Sequence, residues 1–439
     1  MVDTHLPRID PDRLWRRLMA LAEIGALSGG GVDRQALSEG EIDAWRLVVG
    51  WAESEGLEPS CDAAGNLFLT LPGADRTLPP VIAGSHLDTQ PTGGKYDGAA
   101  GVLAAFEAAV TLKAAGLPRR RDLAVVAWMN EEGSRFAPGM MGSEVFAGVR
   151  GLDDIRAVKD ARGVNVASAL DALHAAFPEL APRPPGFPAA AYLELHIEQG
   201  PLLEAAGRVV GVVTGIQGKK TWEVVLEGTP GHAGTLPMAE RRDALAAFTR
   251  MAHRLYPEIG GHDGAVMFTI GRLMVEPNAP SVVPARVTFR VDLRHPRGAD
   301  LDRLGERFEA ICAAEAAPCG LTLTRLVDAP PNDFDAGLMA RIAAAATRRG
   351  VASMPILSAA GHDARHLAKV CPSAMIFIPC RDGVSHAENE HAEPAHLAAG
   401  TQVLADALAG LLAAQDLATL DLATLDLAAQ DLAAQELAP

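Results

Sequence analysis

Seven side chains able to bind a metal or move a proton stand at the ends of apolar runs: His86, Asp88, Asp97, Glu131, Glu132, His196 and His386. Three of them fall in one stretch, GSHLDTQPTGGKYDGAAGV, where a His–X–Asp leads through a glycine-rich loop to a further Asp. Imidazole and carboxylate ligands suit zinc, manganese and related divalent ions. Ligands at the carboxyl ends of sheet strands converge on one crevice in open α/β folds. Ligands from five such segments hold two ions if one carboxylate bridges them. Each residue alone also has an ordinary reading. A histidine beside a strand is more often a surface or core residue, Glu131 and Glu132 suit the charged start of a helix, and Asp88 suits a turn. Together they are harder to dismiss, because each breaks an apolar run with a ligand type.

The elements that must position them are legible around them. PPVIAGSH reads as a strand entering the first stretch, and a small-residue helix over 99–115 leaves it. LAVVAWMN is a continuous apolar run of the kind that forms a buried strand, and it ends at Glu131. AAYLELHIEQGP is a strand-to-turn unit carrying His196, and AMIFIPC is a buried strand ahead of DGVSHAENE. Helices are expected over 10–26, over SEGEIDAWRLVVGWAESEGL with Ser38 and Glu41 spaced as a capping box, as one or two helices over 153–177, and over 335–349 and 393–414.

From about Val212 the pattern changes. TWEVVLEG, AVMFTIGRLMV and ARVTFRVDLR alternate apolar and polar residues, as half-solvated antiparallel strands do, with helical runs over 241–255 and 300–316 between them. This β-α-β-β-α-β rhythm predicts a ferredoxin-like α+β domain over 213–331, inserted in a larger mixed-sheet α/β domain formed by 1–212 and 332–414. The segment 415–439 is a low-complexity acidic tail repeating a five-residue unit, too few times for a solenoid core.

A chain of 439 residues fits two domains better than one. Its net charge of −16 argues against nucleic acid as a general partner. No apolar run is read as long enough to cross a membrane. The N-terminal stretch lacks the apolar core of a signal peptide. Five scattered cysteines without a metal-binding spacing read as reduced thiols in the cytoplasm.

The ordered set of motifs resembles the M20 metallopeptidase superfamily, and within it the amidase/hydantoinase/carbamoylase group. The text that carries the resemblance is GSHLDTQPTGGKYDGAAGV, MNEEGSRFAPGMMGS, ELHIEQGPLLE, GHAGTLPMAERRDAL, SVVPARVTFRVDLRHP, SAAGHDA and IPCRDGVSHAENE, spread over roughly residues 80–410. The resemblance implies two divalent ions per subunit (zinc, manganese, cobalt or nickel) held by His86, Asp97, Glu132, His196 and His386, with Asp97 as the bridge. It implies Glu131 as the general base, Asp88 orienting His86, His232 stabilising the oxyanion, and Gln199, His232, Ser281 and Arg294 meeting the substrate. It further implies that the inserted domain acts as a lid and pairs with its twin in a homodimer.

The implied reaction is hydrolysis of a linear amide or carbamoyl C–N bond in a small ureido acid, foremost an N-carbamoyl-L-amino acid, to amino acid, CO2 and ammonia. Allantoate amidohydrolase and ureidopropionase are the alternatives, followed by an M20 aminopeptidase or dipeptidase and a non-catalytic binding protein. The chain departs from the family pattern at Ser281, where Asn is usual before Val-Val-Pro, so a side-chain amide is lost there. His362 and Asp363 match a family motif with either a loop or a substrate role. Seven further histidines, His5, His174, His253, His262, His295, His391 and His396, are read as surface residues.

Overall fold

The computed structural model describes residues 7–414; the expected tail and His5 lie outside the described residues. The chain divides into two compact units, one running to Thr214 and resuming at Phe334, the other Gly215–Asp333.

The larger unit is built on one mixed sheet. Its strands are β1 (Glu58–Asp62), β2 (Leu67–Leu71), β3 (Val81–His86), β4 (Leu123–Trp128), β5 (Ala181–Arg183), β6 (Ala191–Ile197) and β7 (Val210–Ile216). The second unit contributes β8 (Gly218–Glu227), β9 (Met267–Glu276), β10 (Arg286–His295) and β11 (Gly320–Ala329). The chain then returns through β12 (Asn332–Asp333), β13 (Ser353–Ser358) and β14 (Ser373–Ile378). The large sheet runs β12-β7-β14-β6-β3-β4-β2-β1-β5, with β13 also on β7.

At its centre β14, β6, β3 and β4 are mutually parallel neighbours. All four are buried along their whole length, which is why they read as unbroken apolar runs. Antiparallel neighbours flank them, β7 on one side and β2 on the other. The helix Ala99–Ala114 is buried on nearly every face. It packs against β3, β6 and the helix Pro394–Ala413, and its run of alanines lets these backbones approach closely.

The second unit orders its strands β11-β8-β10-β9, all antiparallel, with helices Ala244–Leu255 and Gly298–Glu315 between them in the chain. Alternate residues of β8 and β10 are buried. Trp222, Val224, Leu226, Val287, Phe289, Val291 and Leu293 form a core of their own with the two helices.

Several expectations are corrected. The first helix is Pro11–Ala22 and stops short of residue 26, because Gly25 turns the chain at φ +84° and the buried Arg34 guanidinium takes up the Leu21 and Ile24 carbonyls. Ser38 caps its helix by accepting from Glu41 N, but Glu41 bonds Leu37 N in place of the Ser38 N–H that a capping box requires. Of the one or two helices expected over 153–177, two form, Leu152–Arg156 and Val166–Ala176, in line with that expectation. The helix expected from 241 starts at Ala244, where Asp243 caps two backbone amides. The helix Pro394–Ala413 is long and apolar enough to cross a membrane, against the expectation that no segment is, but most of it is buried in the core. His295, read as a surface residue, is fully buried, with its ring between Asp263 and the Arg297 carbonyl.

Candidate metal centre

Four adjacent parallel strands deliver the site. β3 ends on His86, and β6 carries His196 one residue before its end. Beyond β4 the chain turns at Asn130, φ +54°, into Glu131 and Glu132. Beyond β14 a short 3-10 turn, Arg381–Gly383, leads to His386. Asp97 comes from the loop between β3 and the helix Ala99–Ala114. The next residue, Gly98, sits at φ +63°, and a Cβ there would lie 2.4 Å from the His86 ring. Only glycine lets the Asp97 loop close over that imidazole.

The ligand-type atoms meet around Asp97. Its Oδ1 lies 3.0 Å from His196 Nε2 and 3.5 Å from His86 Nε2. Its Oδ2 lies 3.3 Å from His386 Nε2, which is in turn 3.4 Å from Glu132 Oε2. Two donor sets result, His86–Asp97–His196 and Asp97–Glu132–His386, each with its atoms within 4.8 Å of one another. Glu131 Oε2 stands 3.6 Å from His86 Nε2.

Backbone carbonyls aim the two buried imidazoles. His86 Nδ1 donates to the Asp88 carbonyl and His196 Nδ1 to the Ile197 carbonyl, both at 2.9 Å. A carbonyl only accepts, so each Nδ1 carries a proton and each Nε2 faces the cluster. Asp88 therefore holds His86 chiefly through its main chain, since its own carboxylate is 3.6 Å from that ring. The Asp88 side chain acts as a strut instead: its two oxygens accept the Glu131 and Glu132 N–H groups, each at 3.2 Å. It thereby fixes the end of β4 to the end of β3.

The charges are strongly coupled. Burial pushes the Asp97 carboxyl up, yet the imidazoles of His196, His386 and His86 around it hold it well below its usual value. Burial pulls His86 down, but Glu131, Asp88 and Asp97 hold it well above. His386 is lifted to about 9, first by its hydrogen bond to Asp97. Burial lifts Glu131 well above the carboxylate range despite His86, and burial with the charge of Asp97 lifts Glu132 to about 7. Carboxylates crowded out of water need positive charge. The residues fit a divalent ion: oxygen and nitrogen donors converge, and His86 Nε2 is buried without a hydrogen-bond partner.

Other residues complete the cluster, and of these Gln90, Ser385 and Glu390 were not singled out from the sequence. Gln90 Nε2 donates to Glu132 Oε2 at 2.8 Å. Gln199, at φ +57°, donates to Asp97 Oδ2 at 3.0 Å and to Ser385 Oγ at 3.1 Å, so this expected substrate residue stands against the Asp97 side chain. Glu390 is buried and accepts from Tyr96 N and Asp97 N. His362 is buried with its ring centroid 4.5 Å from that of His196, so it belongs to the crevice wall. Asp363 is also buried and accepts from Ser143 Oγ. His391, read as a surface residue, is half-buried between the Tyr96 hydroxyl and Glu393.

His232, Ser281 and Arg294 belong to the second unit. His232 and Ser281 are neighbours on paired, exposed loops: Ala233 N donates to Ser281 O, and Val283 N to Gly231 O. Arg294 lies toward the other end of β10, bonded to Asp292 through Nε and Nη2 at 2.8 and 3.2 Å.

Residues 82–410 match the family model described as peptidase family M20/M25/M40. The chain is 40% identical over 402 residues to an N-carbamoyl-L-amino-acid amidohydrolase of Rhizobium meliloti, covering 90% of this chain and 95% of that protein. It is 35% identical over 389 residues to the allantoate amidohydrolase of Escherichia coli K12, covering 88% and 94%. Among solved structures, a hydantoinase/carbamoylase family amidase from Burkholderia multivorans superposes with a TM-score of 0.85 at 39% identity, over 93% of this chain and 99% of that one.

Proposed function

The chain belongs to peptidase family M20/M25/M40, and from that premise we propose that it hydrolyses linear C–N bonds other than peptide bonds, with N-carbamoyl-L-amino acids as its substrates. Water and the ureido acid give the amino acid, CO2 and ammonia. The observation that carries the two-ion reading is the division of Asp97, one oxygen facing His86 and His196 and the other facing His386. One ion would be held by His86, Asp97 and His196, and a second by Asp97, Glu132 and His386, with zinc, manganese, cobalt and nickel all suited to these donors. Bound ions supply Lewis acidity toward the carbonyl and acidify the attacking water.

The chain's own residues do the rest. Glu131, kept a strong proton acceptor by burial, takes the proton of water and hands it to the leaving nitrogen. Asp88 holds Glu131 and Glu132 in register through their amides. Arg294 offers a planar fork to the substrate carboxylate, and His232 a donor to the developing oxyanion. Gln199 and Ser281 are the further side chains proposed to meet the ureido acid.

The inserted unit is read as a lid that pairs with its twin. Arg286, which starts β10 near the His232–Ser281 loops, is eight residues from Arg294, roughly 26 Å along a strand. His232, on the loops at the Arg286 end of β10, and Arg294, toward the other end, are too far apart to close on the same small molecule. A site using both draws them from two chains, which supports a homodimer. The edge strand β9 exposes Met267, Leu273 and Met274, apolar surface of the kind such pairing covers. The five cysteines are free thiols, which suits the reducing cytoplasm.

Ammonia release over N-carbamoyl-L- and D-amino acids, N-carbamoyl-β-alanine, allantoate and dipeptides, each with added Mn, Zn or Co, tests the reading. Ammonia from the N-carbamoyl-L series, with dipeptides intact, is expected. Allantoate as the best substrate moves the assignment to an allantoate amidohydrolase. Dipeptide cleavage without ammonia from any ureido acid overturns it. Glu131→Gln should cost at least about 100-fold in turnover while metal content stays at the wild-type level. Turnover within tenfold of wild type would remove Glu131 as the base.

A further inference from the structure

Glu390 touches the Asp97 loop and belongs to neither of the donor sets that meet at Asp97 among the described residues. It is 5% exposed. Its Oε1 accepts the backbone N–H groups of Tyr96 and Asp97, both at 3.1 Å. Its Oε2 accepts from Ser385 Oγ at 2.9 Å. The same hydroxyl lies 3.2 Å from Asp97 Oδ2, so its single proton has two possible acceptors. The chain has cleared room for this side chain: a Cβ on Gly94 would lie 2.0 Å from Glu390 Oε1.

A neutral side chain could accept two amide protons. A second buried carboxylate beside Asp97 costs energy unless positive charge is close by. Its use here matches a cluster meant to hold cations, and it ties the loop carrying Asp97 to the loop carrying His386. We infer that Glu390 is a positioning residue for the metal centre: it clamps the backbone of Asp97 against the His386 loop, so that Asp97 presents one oxygen to each histidine set. The inference rests on the two-ion reading above.

The test is retention of Mn2+ by the metal-loaded enzyme during competition with a graded chelator, with metal per chain counted by elemental analysis and folding checked by circular dichroism. Glu390→Ala is expected to weaken metal retention about 10- to 100-fold, the usual cost of losing a group that orients metal ligands. Its kcat should recover with excess Mn2+ while the substrate KM stays unchanged. Glu390→Gln keeps an acceptor for the two amides and loses the charge, so it should fall between Ala and wild type, about 3- to 10-fold weaker. Metal retention in Glu390→Ala within threefold of wild type, even with lowered thermal stability, overturns the inference. Should the Ala variant not fold, the Gln variant decides, and unchanged retention there overturns it equally. A wild-type enzyme that retains no metal contradicts the two-ion reading itself, a separate outcome.

Discussion

Asp97 can face two histidine sets only because its neighbours leave it no other choice. Gly98 is the sharpest case. Its φ of +63° is one that a side chain resists, and a Cβ would meet the His86 ring at 2.4 Å. Gly98→Ala should cost about 1–2 kcal/mol from backbone strain alone and should also displace His86. The expected outcome is a folded protein with a lowered denaturant midpoint and metal content well under wild type; full metal content would contradict this account of the loop.

His366 provides a pH-dependent counterpart away from the donor sets. Burial lowers its pKa from 6.5 to about 3. Both folded and unfolded chains hold it neutral at pH 7. As pH falls below 6.5 the unfolded chain takes up the proton and the native one does not, so its contribution to stability is lost between pH 6.5 and about 3. His366→Gln should therefore flatten the fall in urea midpoint between pH 7 and pH 4.5; an unchanged slope would show that the ring titrates normally.

Residue types explain what was legible at this scale. The side chains that cluster around Asp97 break apolar runs or follow them, so His86, Asp97, Glu131, Glu132, His196 and His386 stand out in the sequence. Glu390, Ser385 and Gln90 do not, because each earns its place by a contact to a segment remote in sequence, and such contacts leave no local pattern. The principal role of Asp88 was hidden for the same reason: its side chain reaches across to amides 43 and 44 residues away.

Among elements, the four buried parallel strands β4, β3, β6 and β14 do most of the positioning, and their apolar continuity makes them readable in the sequence. Their order in the sheet is not, since pairing between distant strands is a matter of packing. Element ends were read least well where a remote side chain decides them, as Arg34 does for the helix Pro11–Ala22. That helix is fastened to the helix Ala99–Ala114 by Glu107, which is fully buried and accepts from Asp10 N, Arg13 and Thr111. Glu107→Ala strands these donors and should destabilise the larger unit by about 1–3 kcal/mol, read as a lowered urea midpoint with metal content unchanged. A neutral outcome would mean that Arg13 is rehydrated at no cost.

At the scale of the molecule, the alternating strands of the second unit announced a separate α+β body, and its order β11-β8-β10-β9 follows from the β-α-β-β-α-β chain path. The proposed homodimer gives the sharpest test of how its residues are used. If His232 and Arg294 serve one substrate from two chains, His232→Ala and Arg294→Ala are each inactive, yet mixing them restores activity. Each mixed dimer then has one site with both residues intact, so random exchange should recover about a quarter of wild-type turnover. No recovery would place both residues in one chain's site.

Hydrolysis is proposed to depend on two divalent ions shared through Asp97. Stripping the enzyme with a chelator and titrating Mn2+ back, while following ammonia release from an N-carbamoyl-L-amino acid, tests it directly. Activity should be absent without metal and reach its plateau only after two equivalents per chain; full activity at one equivalent, or in the stripped enzyme, would contradict the account.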